Sequence, residues 1–263
     1  MQYGLLGRTL AHSFSRGYFA DKFAREGLAG HRYDNFELAD IAELPGLLAS
    51  RPGLVGFNVT IPYKRAVIPY LDVLDPVARR VGAVNAVVRE PDGSWRGSNT
   101  DVAGFALTLD GLDLGDVTAA RGAPALILGT GGASDAVREV LRQRSLPHVL
   151  VSRSPGGGQL GYDALPGLDW APPRLLVNTT PVGTWPDTEA APEVPLARLG
   201  SRHVVVDLIY NPPETALLRA AREAGAQTAS GLTMLHGQAE AAWALWSRSA
   251  PGMPRPTDES VPR

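Results

Sequence analysis

The sequence predicts an α/β protein, and three observations carry the prediction. From Pro124 onward, apolar strand-like runs alternate strictly with helical ones, the pattern of βαβ units that build a parallel sheet. The turn Gly129-Thr130-Gly131-Gly132-Ala133-Ser134 lies between the first of those strands and the first of those helices. Before residue 110 strands and helices also alternate, and the polar, Gly-containing link Gly111 to Gly122 separates the two regions. A chain of 263 residues is long enough for one large domain or two of ordinary size.

Tyr3 to Leu6 reads as the first strand, followed by a turn at Gly7 and a loop holding His12-Ser13-Phe14-Ser15. Phe14, Tyr18, Phe19, Phe23 and Ala24 recur at helical spacing, so a helix is expected to end near Gly27. His31 to Leu38 is a strand with Tyr33 and Phe36 facing inward, and Asp40 caps a helix running to about Ser50. Leu54 to Val59 is the next strand. It delivers Asn58-Val59-Thr60-Ile61-Pro62-Tyr63-Lys64, where Pro62 argues against a continuing helix. Asp75-Pro76 opens a short helix. Gly82 to Val88 is a strand, Pro91-Asp92-Gly93 a turn and Ser94 to Ser98 a return strand. Asn99-Thr100-Asp101 caps a helix over Val102 to Leu109. Beyond the link, Pro124 to Leu128, His148 to Val151, Leu175 to Val177 and Val204 to Leu208 are strands. Ala136 to Arg144, Glu214 to Ala224 and Met234 to Trp246 are helices, and the Pro-rich polar tail from Ala250 to Arg263 is expected to be disordered.

Composition narrows the function classes. A hydrophobic content of 44% describes a chain with a proper core, and a net charge of -2 offers no basic stripe for nucleic acid. No run has the apolar length of a membrane span, and the first residues carry no basic leader of a signal peptide. The absence of cysteine excludes disulfides, thiolate zinc sites and cysteine nucleophiles. The cytoplasm is the expected compartment.

Glycines at 129, 131 and 132 let a backbone turn tightly and approach a pyrophosphate, whose charge is met by the N–H groups of the following helix. Ala133 completes the turn, and Ser134 stands where the dinucleotide fingerprint has its third glycine. A plain glycine turn is the alternative. The next strand ends Val151-Ser152-Arg153-Ser154, without the carboxylate that binds the ribose of NAD. An arginine between two hydroxyls suits a 2′-phosphate instead, so the expected cofactor is NADP.

Reducing a carbonyl by hydride needs a proton donor beside the new alkoxide, and a lysine near a carboxylate supplies it. Lys64 and Asp101 are the candidates, each at a strand-to-loop junction. Read singly, Lys64 is also an ordinary surface lysine and Asp101 a helix cap. Ser13, Ser15, Asn58, Thr60, Asn85, Asn99 and Gln238 add neutral donors and acceptors suited to a small polyhydroxylated ligand.

These residues, together with Gly82-Ala83-Val84-Asn85, Asn178-Thr179-Thr180-Pro181-Val182-Gly183 and Gly231 to Gln238, resemble the ordered motif set of the shikimate dehydrogenases from Tyr3 to about Trp246. The resemblance implies a substrate domain over 1–103 completed by 234–250, a Rossmann-like NADP domain over 104–233, and a tail over 251–263. It implies reversible NADP-dependent reduction of 3-dehydroshikimate to shikimate, with no metal, by a monomer or homodimer. Lys64 would be the acid/base, paired with Asp101. Ser13 and Ser15, helped by Tyr210, would hold the substrate carboxylate; Asn58 would belong to the same substrate site, and Thr60, Asn85 and Gln238 would read the ring hydroxyls. Thr180 would touch the cofactor, and Gly231 and Met234 would line its nicotinamide. Two alternatives are a broader quinate/shikimate dehydrogenase using NAD and a non-catalytic NADP-sensing regulator. One departure bears on them: the family's NADP loop commonly carries a second cation, and here Arg153 is followed by Ser154, Pro155 and three glycines.

Overall fold

The computed structural model describes residues 1–11, 13–120 and 123–249, so His12 and the expected tail lie outside the described residues. The chain divides into two compact units: Met1–Thr100 together with the chain from Ala239 on, and Asp101–Gln238.

The first unit contains β1 (Gln2–Gly7), α1 (Phe14–Arg25), β2 (Arg32–Glu37), α2 (Leu44–Ala49), β3 (Leu54–Val59), α3 (Tyr63–Ala66), β4 (Val73–Leu74), α4 (Pro76–Val81), β5 (Ala86–Arg89) and β6 (Trp95–Ser98). The strand order is β2-β1-β3-β5-β6-β4; β1 is parallel to both neighbours, and β5 is antiparallel to both of its own. Side chains alternate between two cores. Tyr3, Leu5, Ala86 and Val88 face one side of the sheet, while Leu6, Phe57, Val59 and Val87 face the other.

Local chemistry sets the helix ends. Asp40 Oδ1 accepts from the Ala42 N–H at 2.8 Å and Glu43 Oε1 from the Asp40 N–H at 2.9 Å, a capping box that opens a 3-10 turn before α2. Asp75 Oδ1 accepts from the Ala78 N–H at 2.6 Å, with Pro76 at the first helical position. Gly82 ends α4 in a left-handed conformation, φ 70°. The strand expected from Gly82 therefore starts only at Ala86. The one-turn helix α3 was not expected after Pro62; the Tyr63 hydroxyl anchors it by donating to Leu38 O at 2.7 Å.

The second unit contains α5 (Asp101–Asp110), α6 (Gly115–Ala119), β7 (Ala125–Leu128), α7 (Gly132–Gln143), β8 (His148–Ser152), β9 (Leu160–Gly161), β10 (Leu175–Asn178), β11 (Val204–Asp207), α8 (Ala216–Glu223), β12 (Gln227–Ser230) and the start of α9 (Leu232–Ser249). The sheet order is β12-β11-β10-β7-β8-β9, and every pairing is parallel. From β7 the chain winds outward to β9, then returns to β10 and winds the other way to β12. This is the doubly wound Rossmann order, with its switch point between β7 and β10. Fully buried β7 is a continuous apolar run and β10 is one up to its last residue, Asn178, as suits central parallel strands.

The far part of α9 belongs to the first unit. Trp243 and Trp246 join the core of Tyr3, Phe19, Phe23 and Tyr33, and the Trp246 indole donates to Val87 O at 2.9 Å. A side chain on Gly56 would collide with that indole. Burying an indole of this size is worth about 4–6 kcal/mol.

Candidate active site

In the first unit the sheet topology gathers the polar candidates. Because β5 is antiparallel to both β3 and β6, Asn58 pairs with Ala86 and Ala86 with Ser98. The end of β3, the start of β5 and the end of β6 therefore share one sheet edge, which carries Asn58, Thr60, Asn85, Asn99 and Thr100. Asn58 Nδ2 donates to Asn85 O at 3.1 Å, and Asn85 Oδ1 accepts from the Thr100 N–H at 2.6 Å. Asn99 Nδ2 donates to Ala83 O at 2.9 Å. Lys64, half-buried on α3, is tied to this edge by its backbone, since the Val84 N–H donates to Lys64 O at 2.7 Å.

The Tyr33 hydroxyl extends the network by donating to Asn58 Oδ1 at 2.8 Å. Burial pushes the Tyr33 phenol well above its ordinary pKa, so it stays neutral and donates. Ser13 occupies the N-cap position of α1 without capping it. Its hydroxyl oxygen is buried and has no hydrogen-bond partner among the described residues, which marks a group awaiting an acceptor or donor.

Asp101, Tyr210 and Gln238 belong to the second unit. Asp101 follows Thr100 directly and is the buried first residue of α5, an acidic group in the first turn, where the helix dipole favours negative charge. Burial raises the pKa of Tyr210. Gln238 Nε2 donates to Leu235 O at 3.0 Å. Helices α5 and α9 meet closely here: a Cβ on Gly104 would stand 3.0 Å from Gln238 N, and one on Gly237 3.0 Å from Gly104 Cα.

At the switch point Gly129 has φ +104°, and a Cβ there would sit 2.8 Å from Thr179 Oγ1 and 3.1 Å from Thr180 Cγ2. Gly131 is the extended N-cap of α7; its side-chain position is open space, and no side chain caps the helix. Gly132 and Ala133 open the first turn of α7. Ser134 takes the third glycine's place fully buried, its hydroxyl donating to Gly131 O at 2.6 Å. At the end of β8, Ser152 Oγ accepts from the Ser154 N–H at 3.2 Å and Arg153 is exposed. An open cradle over a helix N-terminus, with one guanidinium at the next strand end, fits a dinucleotide carrying a 2′-phosphate. Gly231 lies against the loop after β11: its N–H donates to Ile209 O at 3.0 Å, and any side chain there would strike Leu208 O. Met234 is buried. No three His, Cys, Asp or Glu side chains are grouped as a metal site among the described residues.

Residues 5–87 match the family model described as shikimate dehydrogenase substrate binding domain. A shikimate dehydrogenase (NADP(+)) of Synechococcus sp. strain JA-2-3B'a(2-13) is 39% identical, over 94% of this chain and 90% of the relative. The chain belongs to the shikimate dehydrogenase family. Among solved structures, shikimate 5-dehydrogenase from Thermus thermophilus, in complex with NADP(H) and shikimate, has a TM-score of 0.79 at 33% identity, covering 94% of each chain. The quinate dehydrogenase of Corynebacterium glutamicum in complex with NAD has a TM-score of 0.80 at 27% identity, again covering 94% of each chain.

Sequence reasoning named Asn178 within a family motif and passed over the carboxylate it bonds. Asp207 and Asn178, both fully buried, are register partners at the ends of β11 and β10. Asp207 accepts from Asn178 Nδ2 at 2.9 Å, the Ile209 N–H at 3.1 Å and the Thr215 hydroxyl at 2.7 Å. Burial raises its carboxyl pKa, and the three donors offset only part of that rise. The signal available was a carboxylate closing an otherwise apolar strand.

Proposed function

We propose that this chain catalyses the reversible NADP-dependent reduction of 3-dehydroshikimate to shikimate, a step toward chorismate and the aromatic amino acids, in the cytoplasm. The observation that carries the reading is the convergence of β3, β5 and β6, which brings Asn58, Thr60, Asn85 and the Lys64 turn to one sheet edge in a member of this family. NADP, when bound, supplies the hydride or takes it up.

Lys64 gives a proton to the carbonyl oxygen as it becomes a hydroxyl, and takes it back in the oxidative direction. Asp101, fixed by its place at the start of α5, accepts from a substrate hydroxyl. The orphan Ser13 hydroxyl, with Ser15 and Tyr210, receives the substrate carboxylate. Thr60, Asn85 and Gln238 read the ring hydroxyls. The N-terminus of α7, with Gly129, Gly131, Gly132 and Ala133, receives the pyrophosphate, and Thr180, Gly231 and Met234 the nicotinamide half.

Arg153 with the hydroxyls of Ser152 and Ser154 selects NADP. One charge-assisted contact is worth about 1.5–3 kcal/mol, a preference of about ten- to a hundredfold. The single cation of this loop favours one further reading, measurable turnover with NAD. A four-way assay of reduced-nicotinamide absorbance, with shikimate or quinate and NADP⁺ or NAD⁺, tests both. Signal strongest with shikimate and NADP⁺ is expected. Quinate as the better substrate would replace the reading with the broader enzyme, and four silent reactions alongside NADP binding would replace it with a sensor.

A further inference from the structure

We propose that Asp207 is a positioning residue for the cofactor: one buried carboxylate fixes both the loop after β10 and the loop after β11. The inference rests on the NADP-dependent reading for its ligand and on the following geometry for its substance.

Two chains of hydrogen bonds leave Asp207. In the first, Asn178 Nδ2 donates to Asp207 Oδ1, and Asn178 Oδ1 in turn accepts from the Thr180 N–H at 3.0 Å and the Thr180 hydroxyl at 2.7 Å. In the second, the Ile209 N–H donates to the same Oδ1, and Ile209 O accepts from the Gly231 N–H at 3.0 Å. The other oxygen, Oδ2, accepts from Thr215, whose hydroxyl also accepts from the Leu218 N–H at 3.3 Å and so caps α8. Thr180 and Gly231, assigned above to the nicotinamide half, are thus each two bonds from a single anion. Packing supports the same tie. A Cβ on Gly183, in the loop after β10, would stand 3.7 Å from Thr215 Cβ and 3.8 Å from Ile209 Cδ1.

A carboxylate with three donors in a buried site holds them in one geometry, and removing it leaves three donors without an acceptor. Arg153 and its neighbouring hydroxyls stand at the end of β8, outside this network. The inference therefore separates the two halves of the dinucleotide. Loss of Asp207 loosens the nicotinamide side and leaves the 2′-phosphate side as it was.

The test compares the parent with Asp207→Ala and Asp207→Asn, measuring Kd for NADPH by fluorescence, Kd for 2′,5′-ADP by calorimetry, and amide exchange in the ligand-free proteins. Asp207→Ala is expected to weaken NADPH by about ten- to a hundredfold, the scale of one or two hydrogen bonds lost at the cofactor. It should leave 2′,5′-ADP within about threefold and speed exchange at Thr180, Ile209 and Gly231. Asp207→Asn keeps an acceptor for Asn178 and Ile209 and should restore NADPH binding to within about threefold of the parent. If Asp207→Ala does not fold, Thr215→Val removes one donor at nearly constant volume and should still weaken NADPH more than 2′,5′-ADP. Equal weakening of both ligands, or a lowered unfolding midpoint with NADPH binding intact, would overturn the proposal. A parent that binds NADPH but does not oxidise shikimate would remove the functional reading and leave this one standing.

Discussion

Two alanine substitutions in the glycine turn should separate stability from cofactor affinity. At Gly129 the backbone sits at φ +104°, where an L side chain costs about 1–2 kcal/mol. The new Cβ also meets Thr179 Oγ1 at 2.8 Å, tighter than real contacts allow. That hydroxyl donates to Leu128 O at 2.6 Å, so moving it away forfeits a hydrogen bond worth about 0.5–1.5 kcal/mol. Forcing the turn and Thr180 apart adds about 1–3 kcal/mol of overpacking. Gly129→Ala should thus lose about 3–6 kcal/mol, a large part of the stability of an ordinary domain, and lower the urea midpoint by about 1 M or more. Gly131 differs. Its φ of -85° suits any residue and nothing lies within 4 Å of the new methyl, so Gly131→Ala should unfold like the parent or up to about 1 kcal/mol later. The methyl nevertheless occupies the open space over the α7 N-terminus, and NADP affinity should fall about tenfold or more. Urea unfolding and NADPH titration on both proteins check this. A Gly129→Ala protein within about 0.5 kcal/mol of the parent, or a Gly131→Ala protein with undiminished affinity, would refute the reasoning.

Lys64→Ala should lose about two to four orders of magnitude in turnover while calorimetric shikimate affinity changes far less; near-normal turnover would remove Lys64 from its role. Arg153→Ala should bring the NADP⁺ and NAD⁺ values of kcat/KM together, whereas an unchanged bias would place cofactor selection elsewhere. Burial first, then the charges of Arg174 and Arg202, lower the pKa of His203, so the folded protein binds this proton less readily than the unfolded chain. Its contribution to stability is whole above an unfolded pKa of about 6.5 and is lost as pH falls toward the folded value. His203→Asn, which can keep the bond from the Gly200 N–H, should flatten the fall in unfolding midpoint between about pH 7 and pH 5; parallel curves would show that His203 does not titrate there.

Much of this architecture was legible. The strand–Gly129 turn–helix unit could be read because glycine spacing and a fully apolar β7 are local signals. Asn58, Thr60, Asn85 and Asn99 could be picked out singly because each flanks an apolar run. Their meeting could not, since it depends on β5 running antiparallel between β3 and β6, a pairing over long sequence distance. Helix α3 was missed because Pro62 precedes it instead of interrupting it. Strands β4 and β9 are two residues long, and β12 is the polar run Gln227-Thr228-Ala229-Ser230, so neither length nor alternation marked them. Asp207 escaped because a carboxylate at the close of an apolar strand looks like a turn residue until its three donors are seen.

Helix α9 lends its last turns to the unit that the ribosome makes first. Until Trp243 and Trp246 emerge, the core that Phe19 and Phe23 of α1 form with Tyr3 and Tyr33 of the sheet is only partly covered. The whole second unit must be translated in between, a delay on the order of ten seconds at about 5–20 residues per second. The doubly wound unit, contiguous in sequence, can therefore complete its core before the earlier one does. Nascent chains of this protein carry an incomplete aromatic core through most of their synthesis, and truncation ahead of Trp243 would leave it incomplete for good.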